Sequence, residues 1–233
     1  MWKSLKAIFT DDANLLENMI DDFRKMLMLG KDMIIMVTDY AFNDKDVEEI
    51  RGAFYKKDQE INRLEQKIRK EVVTYLSVKI GEDFNSCLVL LSIVHDAERI
   101  GDYTKNIFEI FTKVKRPDVK ELNDLTESVR DKIIEWIDLV ANAFITGDKT
   151  KAEKFIDESY YYEKKCDEVV YQIIIDQSNV NLGVYVLLFR FYKRIICHLD
   201  NIATSLVMPI DKLGYHKPRD KRTTSLLPEN ERK

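Results

Sequence analysis

Apolar residues recur along this chain at spacings of three and four, in six successive stretches. That spacing is the period of one face of an α-helix, whereas a half-buried strand alternates at every second residue. The six stretches predict helices over about residues 11 or 12 to 43, 47–75, 84–116, 122–146, 152–174 and 182–208. Glycine and proline, at 7 and 4, are too few for many strand-connecting turns. The pattern therefore predicts an all-α fold.

The third predicted helix carries two apolar stripes on opposite faces. The first stripe consists of Leu90, Ile93, Ala97, Ile100, Thr104, Ile107 and Phe111. The second stripe begins with Phe84, Cys87, Leu91 and Val94. A helix that is apolar on both sides is typical of one buried between neighbours. The next positions of the second stripe are Glu98 and Asp102, so carboxylates continue a line that begins as core.

Glu98 and Asp102 are four residues apart and are neighbours on one helix face. Two negative charges at that spacing repel each other, and half-burying them is costly unless a cation lies between them. One interpretation is a set of oxygen ligands for a metal ion. The other is that the helix emerges into solvent and the acids form a hydrated face. The third helix alone leaves both open.

The sixth predicted helix repeats this pattern 95 residues further along the chain. Its first stripe consists of Leu188, Tyr192, Ile195, Leu199, Ile202 and Leu206. Arg99 corresponds to Arg194, and Asn106 corresponds to Asn201. Agreement of the apolar pattern over about 28 residues indicates an internal repeat.

The repeat and the short connections predict two antiparallel three-helix bundles. We expect one bundle in residues 1–116 and the other in residues 117–213, with the boundary at Pro117. The third helix is predicted to end at Lys115 and Arg116, where positive charge suits the helix dipole. Residues 214–233 are rich in charged residues and have no apolar period, which is typical of a disordered tail.

Two segments carry a resemblance to a known family. Residues 98–107 read ERIGDYTKNI, which resembles the E-R-I-G-D-x-A-x-N-I signature of PhoU-type proteins. Residues 58–65 read DQEINRLE and resemble that family's D-x-x-I-D-x-L-E, with Asn62 in place of the second aspartate. PhoU-type proteins are known for two three-helix repeats with an E/D-x-x-x-D motif in each, so the resemblance implies the same six-helix fold here.

The resemblance also implies a metal site, because PhoU-type proteins carry iron or zinc clusters on these motifs. Carried over to this chain, the ligands would be Glu98 and Asp102, helped by Asp58 and Glu65, with the carbonyl oxygen of Asn62 as a further donor. An oxygen-rich set of this kind also suits other divalent cations.

The second repeat departs from the family's motif. Residues 163–169 resemble D-x-x-V-D-x-L and supply Glu163 and Asp167. Lys193 stands where the first repeat has Glu98, and Cys197 stands where it has Asp102. We expect Lys193 to pair with Glu163 or Asp167 and to supply the positive charge there. The second repeat is therefore predicted to bind no metal.

The function that the resemblance implies is regulation of phosphate uptake and phosphate-regulon signalling through protein–protein interaction. The implied partners are a Pst-type phosphate transporter and a phosphate-sensing histidine kinase, with a homodimer also considered. The implied location is the cytoplasm, peripheral to the membrane through those partners. Two alternatives from other classes remain: a metal-free helical adaptor, and a metallo-hydrolase or oxygenase on a helical scaffold.

No enzyme motif is present: the chain lacks G-x-x-x-x-G-K-[ST], G-x-G-x-x-G and G-x-S-x-G. A di-iron four-helix enzyme would need a glutamate three residues before a ligating histidine. Ser92 and Ile195 occupy those positions before His95 and His198. His95 is left open between a solvated side chain and a metal ligand, and His198 between packing and a motif role. We predict a non-enzymatic protein.

Charge and composition exclude further classes. The net charge of −4, without a basic stripe, gives no indication of a nucleic-acid partner. Three cysteines without CxxC spacing predict reduced thiols. No run approaches 18 apolar residues, so no membrane-spanning helix is expected. The amphipathic segment 1–9 lacks a signal-peptide core and is predicted to pack against the bundle, with contact to a membrane surface as the alternative.

Overall fold

The computed structural model describes residues 12–43, 45–78, 83–176, 182–209 and 212. These residues form six α-helices, and no strand occurs among them. The helices are α1 (Asp12–Phe42), α2 (Arg51–Val78), α3 (Phe84–Phe111), α4 (Lys120–Thr146), α5 (Lys149–Ile175) and α6 (Gly183–Val207), with a short 3₁₀ helix, Val47–Ile50, leading into α2. The predicted all-α, six-helix fold is confirmed. The N-terminal segment 1–9 and the tail 214–233 lie outside the described residues.

Local chemistry explains several helix ends. The Asp46 carboxylate accepts a hydrogen bond from the Glu48 amide at 2.9 Å and caps the 3₁₀ helix. The Asp148 carboxylate accepts one from the Lys151 amide at 3.1 Å and caps α5, since the first amides of a helix have no partner within it. Gly147 ends α4 with φ at 64°, a left-handed conformation that favours glycine.

The predicted end of the third helix was wrong, because α3 ends at Phe111 and has no basic residue in its last turn. The amides of Lys113 and Val114 both donate to the Ile110 carbonyl at 2.9 Å, which closes the helix in a turn. The Arg116 guanidinium instead lies over the Phe42 ring, 4.1 Å from its centroid. Packing against α1 therefore places this cation, and the helix dipole does not.

The centre of the fold is the contact between α3 and α6. In the first half α1 and α2 pack against α3 and against each other, and in the second half α4 and α5 pack against α6 and against each other. A further contact joins α1 to α4 across the two halves. One continuous apolar core results, so the halves share their interior. The domain boundary at Pro117 stays a prediction.

Residues that correspond in the two repeats meet at this central contact. Tyr103 and His198 are 95 positions apart, and their rings stack with centroids 5.5 Å apart. On one side the Asp96 carboxylate lies 2.8 Å from His198 Nδ1 and accepts from the Asn201 amide, also at 2.8 Å. On the other side Tyr103 packs against Phe191, which corresponds to Asp96. The helices are therefore antiparallel, and His198 serves packing between the halves.

Candidate metal centre

The predicted ligands face each other across the contact between α2 and α3. Asp58 and Glu65 are buried on α2, Asn62 beside them is partly buried, and α3 supplies partly buried Glu98 and Asp102. Because the two helices are antiparallel, Glu65 lies opposite Glu98, and Asp58 lies nearer Asp102. The structure thus brings the predicted carboxylates together, but it divides them into two groups.

The first group consists of Glu65, His95 and Glu98. His95 Nδ1 lies 3.2 Å from Glu65 Oε1 and 3.4 Å from Glu98 Oε2. One potential ligand atom from each residue lies within 4.8 Å of the other two, and this is the one such group of histidine, cysteine and acidic residues among the described residues. Two carboxylates and one imidazole are able to hold a divalent cation.

The second group consists of Asp58, Asp102 and Lys105. Lys105 Nζ lies 3.4 Å from Asp58 Oδ1 and 3.3 Å from Asp102 Oδ1. Burial lowers the pKa of Lys105, but Asp58 and Asp102 outweigh it, and the net shift is upward. A protein ammonium group therefore already lies between these two carboxylates and offsets one of their two negative charges.

Two arginines border the site. The Arg99 guanidinium lies 3.0 Å from His95 Nε2 and 2.9 Å from Asp102 Oδ2, so it spans both groups. Arg69 lies 2.8 Å from Glu65 Oε1. Both arginines are more than 40% exposed, at 41% and 47% of the side chain, so each ion pair is partly screened by water.

Glu98 has the least satisfied carboxylate of the set. Its side chain is 13% exposed, and its Oε2 atom is buried without a hydrogen-bond partner. His95 and Arg99 approach that oxygen only to 3.4 and 3.5 Å. Burial, followed by the nearby Asp102 charge, raises the pKa of Glu98. A bound cation would remove this cost, so the residues present fit the metal that the motif implies.

In the second half, the predicted contact of Lys193 is present. The Lys193 ammonium donates to the Asp167 carboxylate, and Arg190 lies 3.9 Å from the same side chain. Burial raises the pKa of the Cys197 thiol to about 12, which keeps it protonated at neutral pH. Glu163 is partly buried on the same face of α5. These contacts agree with Lys193 supplying the positive charge in place of a metal ion. That the second repeat binds no metal stays a prediction.

Sequence reasoning missed Lys105. The signal was available, because Lys105 lies three residues after Asp102 and residues at that spacing share a helix face. Its reach to Asp58 on the neighbouring helix was not visible from α3 alone. His95 was left open, and the structure places its Nδ1 between two carboxylates although the ring remains half-exposed.

The fold and the site together define an all-helical protein with two three-helix halves and a cluster of acidic side chains between α2 and α3. Residues 23–111 match the PhoU domain family, over a segment that contains every predicted ligand of the first repeat. This part of the chain is thus similar to a PhoU domain, and the match covers most of α1 with α2 and α3, without extending into α4 to α6. A comparison with curated proteins gives no significant match. None of the helices in the described part of the chain is long and apolar enough to cross a membrane.

Proposed function

We propose that this protein regulates phosphate uptake and phosphate-regulon signalling through contacts with other proteins, and that it binds metal between α2 and α3. The observation that carries the proposal is the PhoU domain match over residues 23–111, because PhoU domains form a regulatory family. The partners that follow from the family are a Pst-type phosphate transporter and a phosphate-sensing histidine kinase. Such partners place the protein in the cytoplasm, at the membrane surface.

The metal part of the proposal is supported by Glu98 Oε2, which is buried without a hydrogen-bond partner. The residues proposed to hold the ion come from the set Glu98, Asp102, Asp58, Glu65 and Asn62. Iron or zinc would supply positive charge that offsets the partly buried carboxylates. An acidic surface with a bound cation is able to recognise an anionic ligand or an acidic partner segment. His95, Arg99 and Lys105 orient and neutralise the carboxylates around it.

A metal-free adaptor is the second candidate. Lys105, Arg99 and Arg69 already contact Asp58, Asp102 and Glu65, so most of the negative charge has a partner without an ion. In that case the site would hold α2 against α3, and recognition would rely on the charged surface alone.

Two measurements test the proposal. Deletion of the gene is expected to change phosphate uptake and phosphate-regulon expression, and unchanged values of both would remove the regulator role. Metal analysis of protein purified without chelator is expected to find iron or zinc in the wild type and none in Glu98→Ala/Asp102→Ala. Asp131→Ala/Glu135→Ala is the matched control, since these exposed acids on α4 have the same spacing. Equal metal in the wild type and the site variant would support the adaptor.

For the second half, the variant Lys193→Glu/Cys197→Asp restores the acidic motif of the first repeat. It removes the ammonium beside Asp167 and adds two carboxylates on α6. We expect it to bind one more divalent ion per chain than the wild type. An unchanged ion count would contradict the proposal that Lys193 replaces a metal.

A further inference from the structure

The two groups of the acidic site, Glu65–His95–Glu98 and Asp58–Asp102–Lys105, differ in the positive charge that already offsets their carboxylates. We infer that the site takes a single ion, held by Glu65, His95 and Glu98, because Lys105 fills the Asp58–Asp102 half as a tethered cation. The inference rests on the proposed metal binding and narrows it: it adds His95 as a ligand and removes Asp58 and Asp102 from the set.

The Asp58–Asp102 half is closed to a second ion by its own lysine. The Lys105 ammonium lies 3.4 Å from one carboxylate and 3.3 Å from the other, so it holds the position between them. A divalent ion would have to come within about 2.0–2.2 Å of the same oxygens. Lys105 is only 26% exposed and starts from α3 beside Asp102, so leaving the site would strip it of both partners. Ion and ammonium therefore exclude each other.

The other half has the separations that a small cation requires. Ligand bonds of about 2.0–2.2 Å arranged tetrahedrally put neighbouring ligand atoms about 3.3–3.6 Å apart. His95 Nδ1 lies 3.2 Å from Glu65 Oε1 and 3.4 Å from Glu98 Oε2, close to that range. The buried Glu98 Oε2 has no hydrogen bond to give up. Two carboxylates and an imidazole thus stand close to a binding geometry.

Binding requires a change at Arg99. His95 Nδ1 must carry no proton to bind an ion, so its Nε2 must carry one, and the Arg99 donor 3.0 Å from Nε2 then has to turn away. Arg99 keeps a second partner in Asp102, at 2.9 Å, and it is well exposed. Arg69 is likewise free to move into water. The two arginine side chains can therefore move aside when an ion binds, whereas Lys105 stays between Asp58 and Asp102.

The donor set also selects the class of metal. One imidazole nitrogen with two carboxylates suits zinc, iron(II) or manganese, while calcium prefers six to eight oxygens and magnesium prefers oxygen ligands and water. We therefore expect Zn²⁺ to bind more tightly than Mg²⁺ or Ca²⁺.

The test is a Zn²⁺ titration of the metal-stripped full chain by calorimetry, with metal analysis after dialysis. The wild type is expected to take one ion per chain. His95→Gln should bind Zn²⁺ at least roughly 10- to 100-fold more weakly, a loss seen even for groups that only orient a ligand. Lys105→Met should take two ions, because the second half is then open. His198→Gln, which changes the other described histidine, should bind as the wild type does.

X-ray absorption at the zinc edge supplies a readout independent of affinity. We expect imidazole scattering in the wild type and its loss in His95→Gln. Three results would overturn the inference while leaving the proposed metal binding in place. They are a His95→Gln protein that binds Zn²⁺ as tightly as the wild type, a wild type that binds two ions, and a Lys105→Met protein that binds one. No Zn²⁺ binding by the wild type would overturn both the inference and the metal part of the proposed function. The regulator role is decided separately by the gene deletion.

Discussion

Gly101, between Glu98 and Asp102 on α3, fixes how closely α3 approaches α2. A Cβ atom at this position would lie 3.0 Å from Cδ1 of Ile61, a core residue of α2. Gly52, at the start of α2, provides a control because a Cβ atom there would meet nothing within 4 Å. The perturbation is Gly101→Ala, compared with Gly52→Ala.

The magnitude follows from two opposing effects. Alanine in place of glycine in a helix stabilises by about 0.4–1 kcal/mol. Gly52→Ala should show this gain alone. Gly101→Ala should show the same gain, but it also forces a methyl group into a filled core, which costs about 1–3 kcal/mol. The tip of Ile61 is able to shift, so we expect the low end of that cost, about 1 kcal/mol. Gly101→Ala should then be close to the wild type in stability and about 1 kcal/mol less stable than Gly52→Ala.

Urea unfolding followed by circular dichroism measures both free energies of unfolding. Ile61→Val removes the Cδ1 atom that the new methyl group meets, and alone it should cost about 0.5–1.5 kcal/mol. In the Gly101→Ala background its cost should fall, with a coupling of about 0.5–1 kcal/mol between the two sites. A Gly101→Ala protein as stable as Gly52→Ala, or a coupling of zero, would show that this contact does not limit the approach of α3 to α2.

Three further predictions concern polar groups that are partly or fully buried. Burial raises the pKa of Glu71, so the carboxyl binds its proton more tightly in the folded protein than in the unfolded chain, and this group's destabilising effect fades as pH falls toward 4.5. Glu71→Gln should therefore be more stable than the wild type at neutral pH. Urea titrations at several pH values should show that difference disappearing near pH 4.5. Asp96→Ala removes the acceptor of His198 at the contact between α3 and α6 and should lower the free energy of unfolding by about 1–3 kcal/mol. Burial raises the pKa of Cys166 and Cys197 to about 12, so a thiol reagent at pH 8 should label them only after urea unfolds the chain.

Each of these three has a result that contradicts it. A stability difference for Glu71→Gln that stays constant from pH 7 to pH 4.5 would show that its carboxylate is not penalised by burial. An Asp96→Ala protein as stable as the exposed control Asp124→Ala would show that the contacts of Asp96 with His198 and Asn201 do not stabilise the fold. Rapid labelling of Cys197 in the native protein would show that its thiol is reached by solvent.

The sequence predicted the six helices because the apolar period of a helix is a local property. Spacings of three and four determine which face is buried, whatever that face packs against. The fourth helix ends at Thr146 as predicted, since the conformational preference of Gly147 acts within a few residues. The end of α3 escaped prediction because Arg116 is placed by the Phe42 ring of α1, a partner distant in sequence.

Spacing on α3 pointed to Glu98 and Asp102, and the family resemblance added Asp58 and Glu65, but the grouping of these side chains was decided by tertiary structure. Spacing put Glu98 beside Asp102 on α3, and it could not show which of them faces Glu65 and which faces Asp58. That depends on the axial offset of the two antiparallel helices. The offset brings Lys105 to Asp58 and His95 to Glu65. Side chains that can adopt several conformations pair with whichever charged group of the neighbouring helix lies within reach.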